Sequence, residues 1–186
     1  MKPDELHLCT IGHSNRSLEE FADLLEQHSI GMLADIRRFP ASRKFPHFNR
    51  EYLSESLRES GVDYEWLQGL GGRRNASNQT SANNEAWQNK SFRNYADYMQ
   101  TEEFRSAFQN LVRLAKTCRT VIMCSESVFW RCHRRLVSDY FTASGGHVEH
   151  IFSDGRTQPH ELTDTAIVQS DNPVTITYPG DPTLLE

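Results

Sequence analysis

Short apolar runs alternate with segments of helical periodicity along almost the whole chain. The apolar runs cover residues 6–11, 32–36, 62–67, 120–122 and 147–152. Between them, apolar side chains recur at the spacing of one helix face over residues 18–25, 52–57, 92–116 and 136–141. Strands that alternate with helices pair in parallel and are covered on both faces. The sequence therefore predicts an α/β fold, a single three-layer domain with a mainly parallel five-stranded sheet flanked by helices.

The length and composition fit this prediction. A chain of 186 residues with 37% hydrophobic residues can bury the core of one domain. We expect that core at residues 6–162, followed by a poorly patterned tail at residues 163–186. No apolar run reaches membrane-spanning length, and the first residues lack the order of a signal peptide. We therefore expect no membrane association, a cytoplasmic location and reduced cysteines, while the oligomeric state stays open.

Side chains that can act in catalysis cluster after the fourth predicted strand. In open α/β sheets, ligands bind beyond the carboxyl ends of the strands. Cys124 and Glu126 follow this strand, and the next helix is predicted to hold Cys132 and His133 in its first turn. A helix N-terminus lowers the pKa of a thiol and attracts anions. We therefore predict the centre of an active site here.

Thiol, carboxylate and imidazole groups supply the candidate catalytic residues, whereas guanidinium and hydroxyl groups suit an anionic ligand. The candidate catalytic residues are Cys124, Glu126, His133 and His13. The candidate substrate-binding residues are Ser14, Asp35, Arg37, Ser42, Arg43, Arg73, Trp130, Cys132, Arg134 and His160. Trp130 would stack on a base, and Asp35 would orient Arg37. The competing interpretation is structural, because free cysteines and aromatic side chains are frequently core residues.

The net charge of −5 opposes a broad nucleic-acid-binding surface but is compatible with a local basic cleft. The acidic residues fall mainly in predicted helices, whereas many cations fall in predicted loops. Those loop cations are Arg37, Arg38, Arg43, Lys44, Arg73, Arg74, Arg131, Arg134 and Arg135. We therefore predict a nucleotide-like ligand or nucleic acid as the partner.

The sequence leaves the cofactor unknown, with zinc as an alternative. Cys124, Cys132 and His133 are zinc-ligand types, but their spacing matches no familiar finger or ribbon. Adjacent Cys132 and His133 would also point in different directions on a helix. His13, His150 and His160 would complete a metal site only if the fold brought them close.

Several segments, taken together, match one known pattern. They are Thr10-Ile11-Gly12-His13-Ser14, Asp35-Ile36-Arg37 with Pro40 and Ser42-Arg43, Leu70-Gly71-Gly72-Arg73, Tyr95-Ala96-Asp97-Tyr98-Met99, and Cys124-Ser125-Glu126 with Cys132-His133-Arg134. This combination resembles the domain of unknown function 488 family from about Thr10 to about Leu162. The resemblance implies an α/β fold and a site built from these segments at one edge. It brings no settled reaction, although some members are labelled as DNA-repair proteins.

The leading hypothesis is an enzyme that acts on a nucleotide-like or nucleic-acid substrate, in repair or base modification. Arg37, Arg43 and Arg134 would hold phosphate. Glu126 and His133 would share acid–base work. Glycosidic cleavage would depend on Glu126, whereas desulfuration or alkyl transfer would depend on Cys124.

Two alternatives stay open. The first is a rhodanese- or phosphatase-like thiol enzyme, although six residues separate Cys124 from Arg131 and the carboxylate of Glu126 would repel an anion. The second is a non-catalytic protein that binds nucleotide or nucleic acid. It would need the arginines and tolerate loss of Cys124 and Glu126, and its affinity would fall steeply with salt.

Overall fold

The computed structural model describes residues 6–75, 82–169 and 173–180 of the protein. The strands are β1 His7–Gly12, β2 Met32–Asp35, β3 Asp63–Trp66, β4 Thr120–Cys124, β5 His147–Ile151, β6 Thr157–Pro159, β7 Ile167–Gln169 and β8 Thr175–Thr177. The helices are α1 Leu18–Gln27, α2 Arg50–Glu59, α3 Lys90–Tyr98, α4 Glu102–Thr117 and α5 Arg134–Ala143. All five predicted strands are therefore present, with small differences at their ends.

The sheet is mixed but mostly parallel, as predicted. Its strand order is β3-β2-β4-β1-β5-β6, and every neighbouring pair is parallel except β5 with β6. The short strands β6, β7 and β8 were not predicted, because three residues are too few to show a periodic pattern. Strands β7 and β8 form a separate hairpin in the described part of the tail, where Ile176 and Tyr178 are fully buried.

Helices flank the sheet, and the apolar core divides into two clusters. One cluster joins apolar residues of α1 and α2 to strand residues such as Leu33 and Val121. The other joins α3, α4 and α5 to strand residues such as Ala34 and Ile122. Adjacent strand residues thus contribute to different clusters, because successive side chains of a strand point to opposite faces.

Local sequence signals set the helix boundaries. Ser17 and Glu20 form a capping box at the start of α1. The helical stretch at residues 92–116 separates into α3 and α4 near Thr101, whose Oγ1 accepts a hydrogen bond from the backbone N–H of Phe104. The sequence at residues 69–84 is rich in Gly, Asn, Ser and Arg and predicts a long loop, of which residues 76–81 lie outside the described part. No helix in the described part of the chain has both the length and the apolar character needed to span a membrane.

The parallel pairing brings three strand ends together. Gly12 lies opposite Cys124 in the register of β1 and β4, and Asp35 lies opposite Met123 in that of β2 and β4. A Cβ atom at Gly12 would stand only 1.8 Å from the carbonyl oxygen of Glu126. Glycine at this position therefore allows the loop after β4 to fold across the end of β1.

Candidate active site

A cavity of about 910 Å³ opens at the carboxyl edge of the sheet. Most of the candidate site residues line it. They are His13, Ser14, Arg37, Ser42, Arg73, Cys124, Glu126, Cys132 and His133. Its volume falls in the range of small-molecule sites. Four separate loops thus contribute to one concave surface.

The cavity wall is strongly cationic although the whole protein has a net negative charge. The cations that line it are Arg37, Arg38, Lys44, Arg73 and Arg131. Among the described residues, Glu126 is the one carboxylate that lines this cavity. A concave surface lined by one sign of charge concentrates ligands of the opposite sign, so the wall favours an anion.

Two thiols lie together at the cavity. The Sγ atoms of Cys124 and Cys132 are 3.1 Å apart, and Nε of Arg134 donates to both, at 3.1 and 3.2 Å. The backbone N–H of Arg134 also donates to Cys132, at 3.4 Å. Both cysteines are free and buried, with 2% of Cys124 and 7% of Cys132 exposed. The fold therefore builds a close dithiol beside one guanidinium.

The environment favours a single shared proton on this dithiol. Burial raises the pKa of Cys132, but the hydrogen bond from Cys124 and the charge of Arg134 outweigh it and bring that pKa to about 5. Burial and the neighbouring Cys132 raise the pKa of Cys124 well above its usual value. At neutral pH the arrangement is a Cys124 thiol that donates to a Cys132 thiolate.

Arg134 lies behind the thiols and is 1% exposed. Its Nη2 donates to the carbonyl oxygens of Glu126 and Ser127, at 2.6 and 3.1 Å. Its Nη1 donates to the hydroxyl of Thr10, at 3.4 Å. Within the described part of the chain no carboxylate pairs with it, so the thiolate is its negatively charged partner. This position does not support the predicted direct contact of Arg134 with phosphate.

A second buried arginine, Arg37, lines the cavity from the end of β2. Its Nε and Nη2 hold the two carboxylate oxygens of Asp35, at 2.9 and 2.5 Å. The Tyr64 hydroxyl donates to the same carboxylate, at 2.7 Å. Asp35 is fully buried beneath Arg37 and orients it without reaching the cavity itself.

His13 is held as a neutral imidazole. Its Nδ1 donates to the carbonyl oxygen of Ser14 at 2.9 Å, and its ring stacks on Phe48 at a centroid distance of 4.2 Å. Burial, followed by the charge of Arg37, lowers its pKa to about 4. Nε2 therefore carries a lone pair, and Nη1 of Arg37 lies 3.5 Å from it. His13 can accept a proton or a hydrogen bond there.

His133 is fixed through its other nitrogen. Its Nε2 donates to the carbonyl oxygen of Ile36 at 2.9 Å, so Nδ1 is the acceptor. Nδ1 faces Gly72, where a Cβ atom would stand 2.8 Å away. Burial lowers the pKa of His133. The prediction that Cys132 and His133 occupy the first helical turn is wrong by a small margin, because α5 begins at Arg134.

Five candidate residues do not line the cavity. Asp35 and Arg134 stand behind it, as described, and Arg43 is exposed outside it. Trp130 is 46% exposed and lines an adjoining cavity of about 570 Å³, which shares Phe92, Glu126 and Arg131 with the main one.

His160 belongs to a buried hydrogen-bonded chain instead. Its Nε2 donates to Asp139 and its Nδ1 accepts from Nε2 of His150, both at 2.9 Å. Nδ1 of His150 accepts from the Thr10 hydroxyl at 2.8 Å, and Thr10 in turn contacts Arg134. Asp139 also accepts from the Tyr178 hydroxyl at 2.8 Å. The chain thus runs from the tail to the guanidinium beside the thiols.

Four residues of this region are not among the predicted site candidates. Arg38, Lys44 and Arg131 were recognised as loop cations, but their direction toward the cavity follows from the fold. The fourth is Asp139, although an acidic residue between Val137 and Tyr140, on the buried face of α5, signals a buried partner.

The described residues contain no group of three or more histidine, cysteine or acidic side chains arranged to hold a metal ion. Cys124 and Cys132 are the two adjacent donors best placed for a soft metal. The third expected ligand, His133, has Nδ1 as its available nitrogen, and that atom faces Gly72. His150 and His160 lie in the buried chain rather than beside the thiols.

A comparison with family models matched residues 17–141 to the family described as domain of unknown function DUF488. Comparisons with curated proteins and with solved structures gave no match. The match covers the segments from α1 to α5 and includes the loops that hold Arg37, Arg73 and both thiols. The chain therefore belongs to the DUF488 family.

Proposed function

We propose that the protein is an enzyme that acts on an anionic, nucleotide-like or nucleic-acid substrate with Cys132 as its nucleophile. The observation that carries this proposal is the thiolate–guanidinium group at a cavity walled by five cations. A lowered thiol pKa makes a cysteine nucleophilic at neutral pH. Repair or base modification is the wider role that we propose.

The side chains that line the cavity support this substrate class. Arg37 and Arg73 present guanidinium groups that suit phosphate oxygens. Phe39, Phe45 and Phe92 add aromatic faces to the same cavity, and Trp130 lies in the adjoining one. Phosphate groups and an aromatic base would match these two kinds of surface.

The other groups take supporting roles. Neutral His13 accepts a proton or a hydrogen bond through Nε2 near Arg37. Glu126 is exposed at the rim, where it can contact the leaving group or a water molecule. The hydrogen bonds from Arg134 to both sulfurs stabilise a thiolate. They therefore favour chemistry on the thiol over cleavage by Glu126 alone.

The thiol-phosphatase alternative is less favoured, because its nucleophile would be Cys124. Arg131, the arginine of that alternative, lines the cavity, but burial and the neighbouring Cys132 raise the pKa of the Cys124 thiol well above its usual value. The non-catalytic alternative predicts ligand binding that does not need either thiol.

Product analysis and binding together test the proposal. Purified protein is incubated with nucleoside diphosphates and short single-stranded oligonucleotides, products are identified by mass spectrometry, and binding is measured by calorimetry. We expect turnover that Cys132→Ser abolishes without loss of binding, and binding that Arg73→Glu weakens at least about tenfold. The Arg43→Glu variant is the matched control, because that arginine does not line the cavity. Binding without turnover would favour the non-catalytic alternative, and absence of both would refute the proposal.

A further inference from the structure

We propose that Cys124 and Cys132 form a reversible disulfide and that the site exchanges thiols with anionic disulfides. This inference rests on the proposed function, because the same cationic cavity must admit the reagent. The two Sγ atoms are 3.1 Å apart, so bond formation needs an approach of only about 1 Å to the S–S length. The loop that connects the two cysteines folds across Gly12.

The two sulfurs have unequal access, which gives each one a distinct role. Cys132 is 7% exposed and Cys124 is 2% exposed, although both line the cavity. Cys132 would therefore meet the reagent first. Cys124 would act second, since it already points its proton at the Cys132 sulfur.

The first step is attack of the Cys132 thiolate on one sulfur of the substrate disulfide. The substrate S–S bond breaks, a mixed disulfide forms on Cys132, and the other half leaves as a thiolate. In the second step Cys124 attacks Sγ of Cys132, the mixed disulfide bond breaks, and the departing sulfur takes the proton of Cys124. The protein dithiol is thereby oxidised by two electrons, while the substrate disulfide is reduced to one thiol and one thiolate. Excess external thiol reverses both steps.

Arg134 makes the cycle reversible. It donates to both sulfurs and has no carboxylate partner within the described residues, so its charge favours the reduced form that contains a thiolate. A dithiol stabilised in this way yields a disulfide that thiols reduce readily. Cys9 differs, because burial raises its pKa despite the nearby Arg119, and Cys118 does not line the cavity.

The experiment compares two disulfides of opposite charge on the full chain in a Cys118→Ser background. Reduced protein is mixed with oxidised glutathione, which is anionic, or with cystamine, which is cationic, and products are mapped by mass spectrometry. We expect a Cys124–Cys132 disulfide and a rate at least about tenfold higher with oxidised glutathione, after division by each reagent's rate with a free cysteine peptide. Cys124→Ser should stop at one glutathione on Cys132, and Cys124→Ala should do the same if serine disturbs folding.

The outcomes separate this inference from the proposed function. Stable glutathione on wild-type Cys132, with no protein disulfide, would overturn the inference and leave the nucleophile in place. A protein disulfide without any preference for the anionic reagent would overturn the role of the cationic cavity in this exchange. Absence of reaction at Cys132 with either reagent would overturn the inference and the nucleophile of the proposed function together.

Discussion

Arg37 follows β2 and Arg134 begins α5, and both are buried at the carboxyl edge of the sheet, but their charges are balanced in different ways. Arg37 donates to the carboxylate of Asp35 through its backbone N–H, Nε and Nη2, and the Tyr64 hydroxyl donates to the same carboxylate. Arg134 contacts two sulfurs and two backbone carbonyls instead. The first arrangement fixes an arginine that faces the cavity, whereas the second uses an arginine to stabilise a thiolate.

The two arrangements differ in how their stability depends on pH and on oxidation. A buried charge without a partner costs several kcal/mol, so each guanidinium must be neutralised nearby. A carboxylate neutralises a guanidinium over a wide pH range. A thiol neutralises it only while the thiol is ionised, so the stability of the Arg134 region depends on pH and on the oxidation of sulfur.

The largest expected effect comes from breaking the Arg37 pair. Asp35→Asn removes the negative charge and leaves the guanidinium buried, which should lower the free energy of unfolding by about 3–5 kcal/mol. Urea denaturation measures this loss in the free energy of unfolding. Tyr64→Phe removes one hydrogen bond from the same carboxylate and should cost only about 1 kcal/mol. Equal losses in the two variants would show that charge balance does not stabilise this region.

The double variant Cys124→Ser, Cys132→Ser tests the Arg134 arrangement. Because the folded pKa of Cys132 lies below its ordinary value, the thiolate's contribution is complete above about pH 9 and is lost as the pH falls toward 5. At pH 7 the variant should be about 2–3 kcal/mol less stable than the wild type, and below pH 5 this difference should vanish.

Cys9→Ser is the matched control for this pH dependence. Cys9 is buried, and burial raises its pKa, so its replacement should cost the same from pH 5 to pH 8. Urea denaturation at several pH values provides the data. A pH-independent loss in the double cysteine variant would mean that both thiols are neutral beside Arg134.

The fold could be predicted because its signals are local. Each parallel strand is a short apolar run, and each helix has a periodic apolar face, as in Phe104, Phe108 and Leu111 of α4. Parallel pairing then placed His13, Arg37 and Cys124 at one edge without further information. The family resemblance agreed with this arrangement.

The direction of single side chains could not be predicted in the same way. Arg131 and Arg134 stand three residues apart, yet one lines the cavity and the other lies behind the thiols. The short helical turn at Phe129–Arg131 before α5 sets that difference, and no sequence pattern signals it. His160 follows the three-residue strand β6, whose pairing with β5 carries it to Asp139 rather than to the cavity.

Gly12→Ala should weaken the hydrogen bond between Arg134 and the backbone carbonyl of Glu126. The new Cβ atom would collide with the carbonyl of Glu126, which is one of the two carbonyls that hold Arg134. We expect a loss of about 1–3 kcal/mol in unfolding free energy and slower alkylation of Cys132 by iodoacetamide at pH 7. Gly31→Ala is the control, because its nearest neighbour, Cβ of Cys118, is 3.6 Å away. Unchanged alkylation would show that loop position does not govern the thiolate.

His13→Gln should have the smallest effect at neutral pH, and it tests whether the imidazole beside Arg37 is neutral in the folded protein. The folded pKa of His13 lies near 4, below the value of an unfolded histidine, so the unfolded chain binds a proton first as the pH falls. The wild type should therefore lose about 1.4 kcal/mol per pH unit through this residue between pH 6.5 and 4. The variant should lack this slope in urea denaturation, whereas above pH 7 the two proteins should differ little. An unchanged slope would mean that His13 is protonated in the folded protein despite burial beside Arg37, and the neutral acceptor at this wall of the cavity would then be lost.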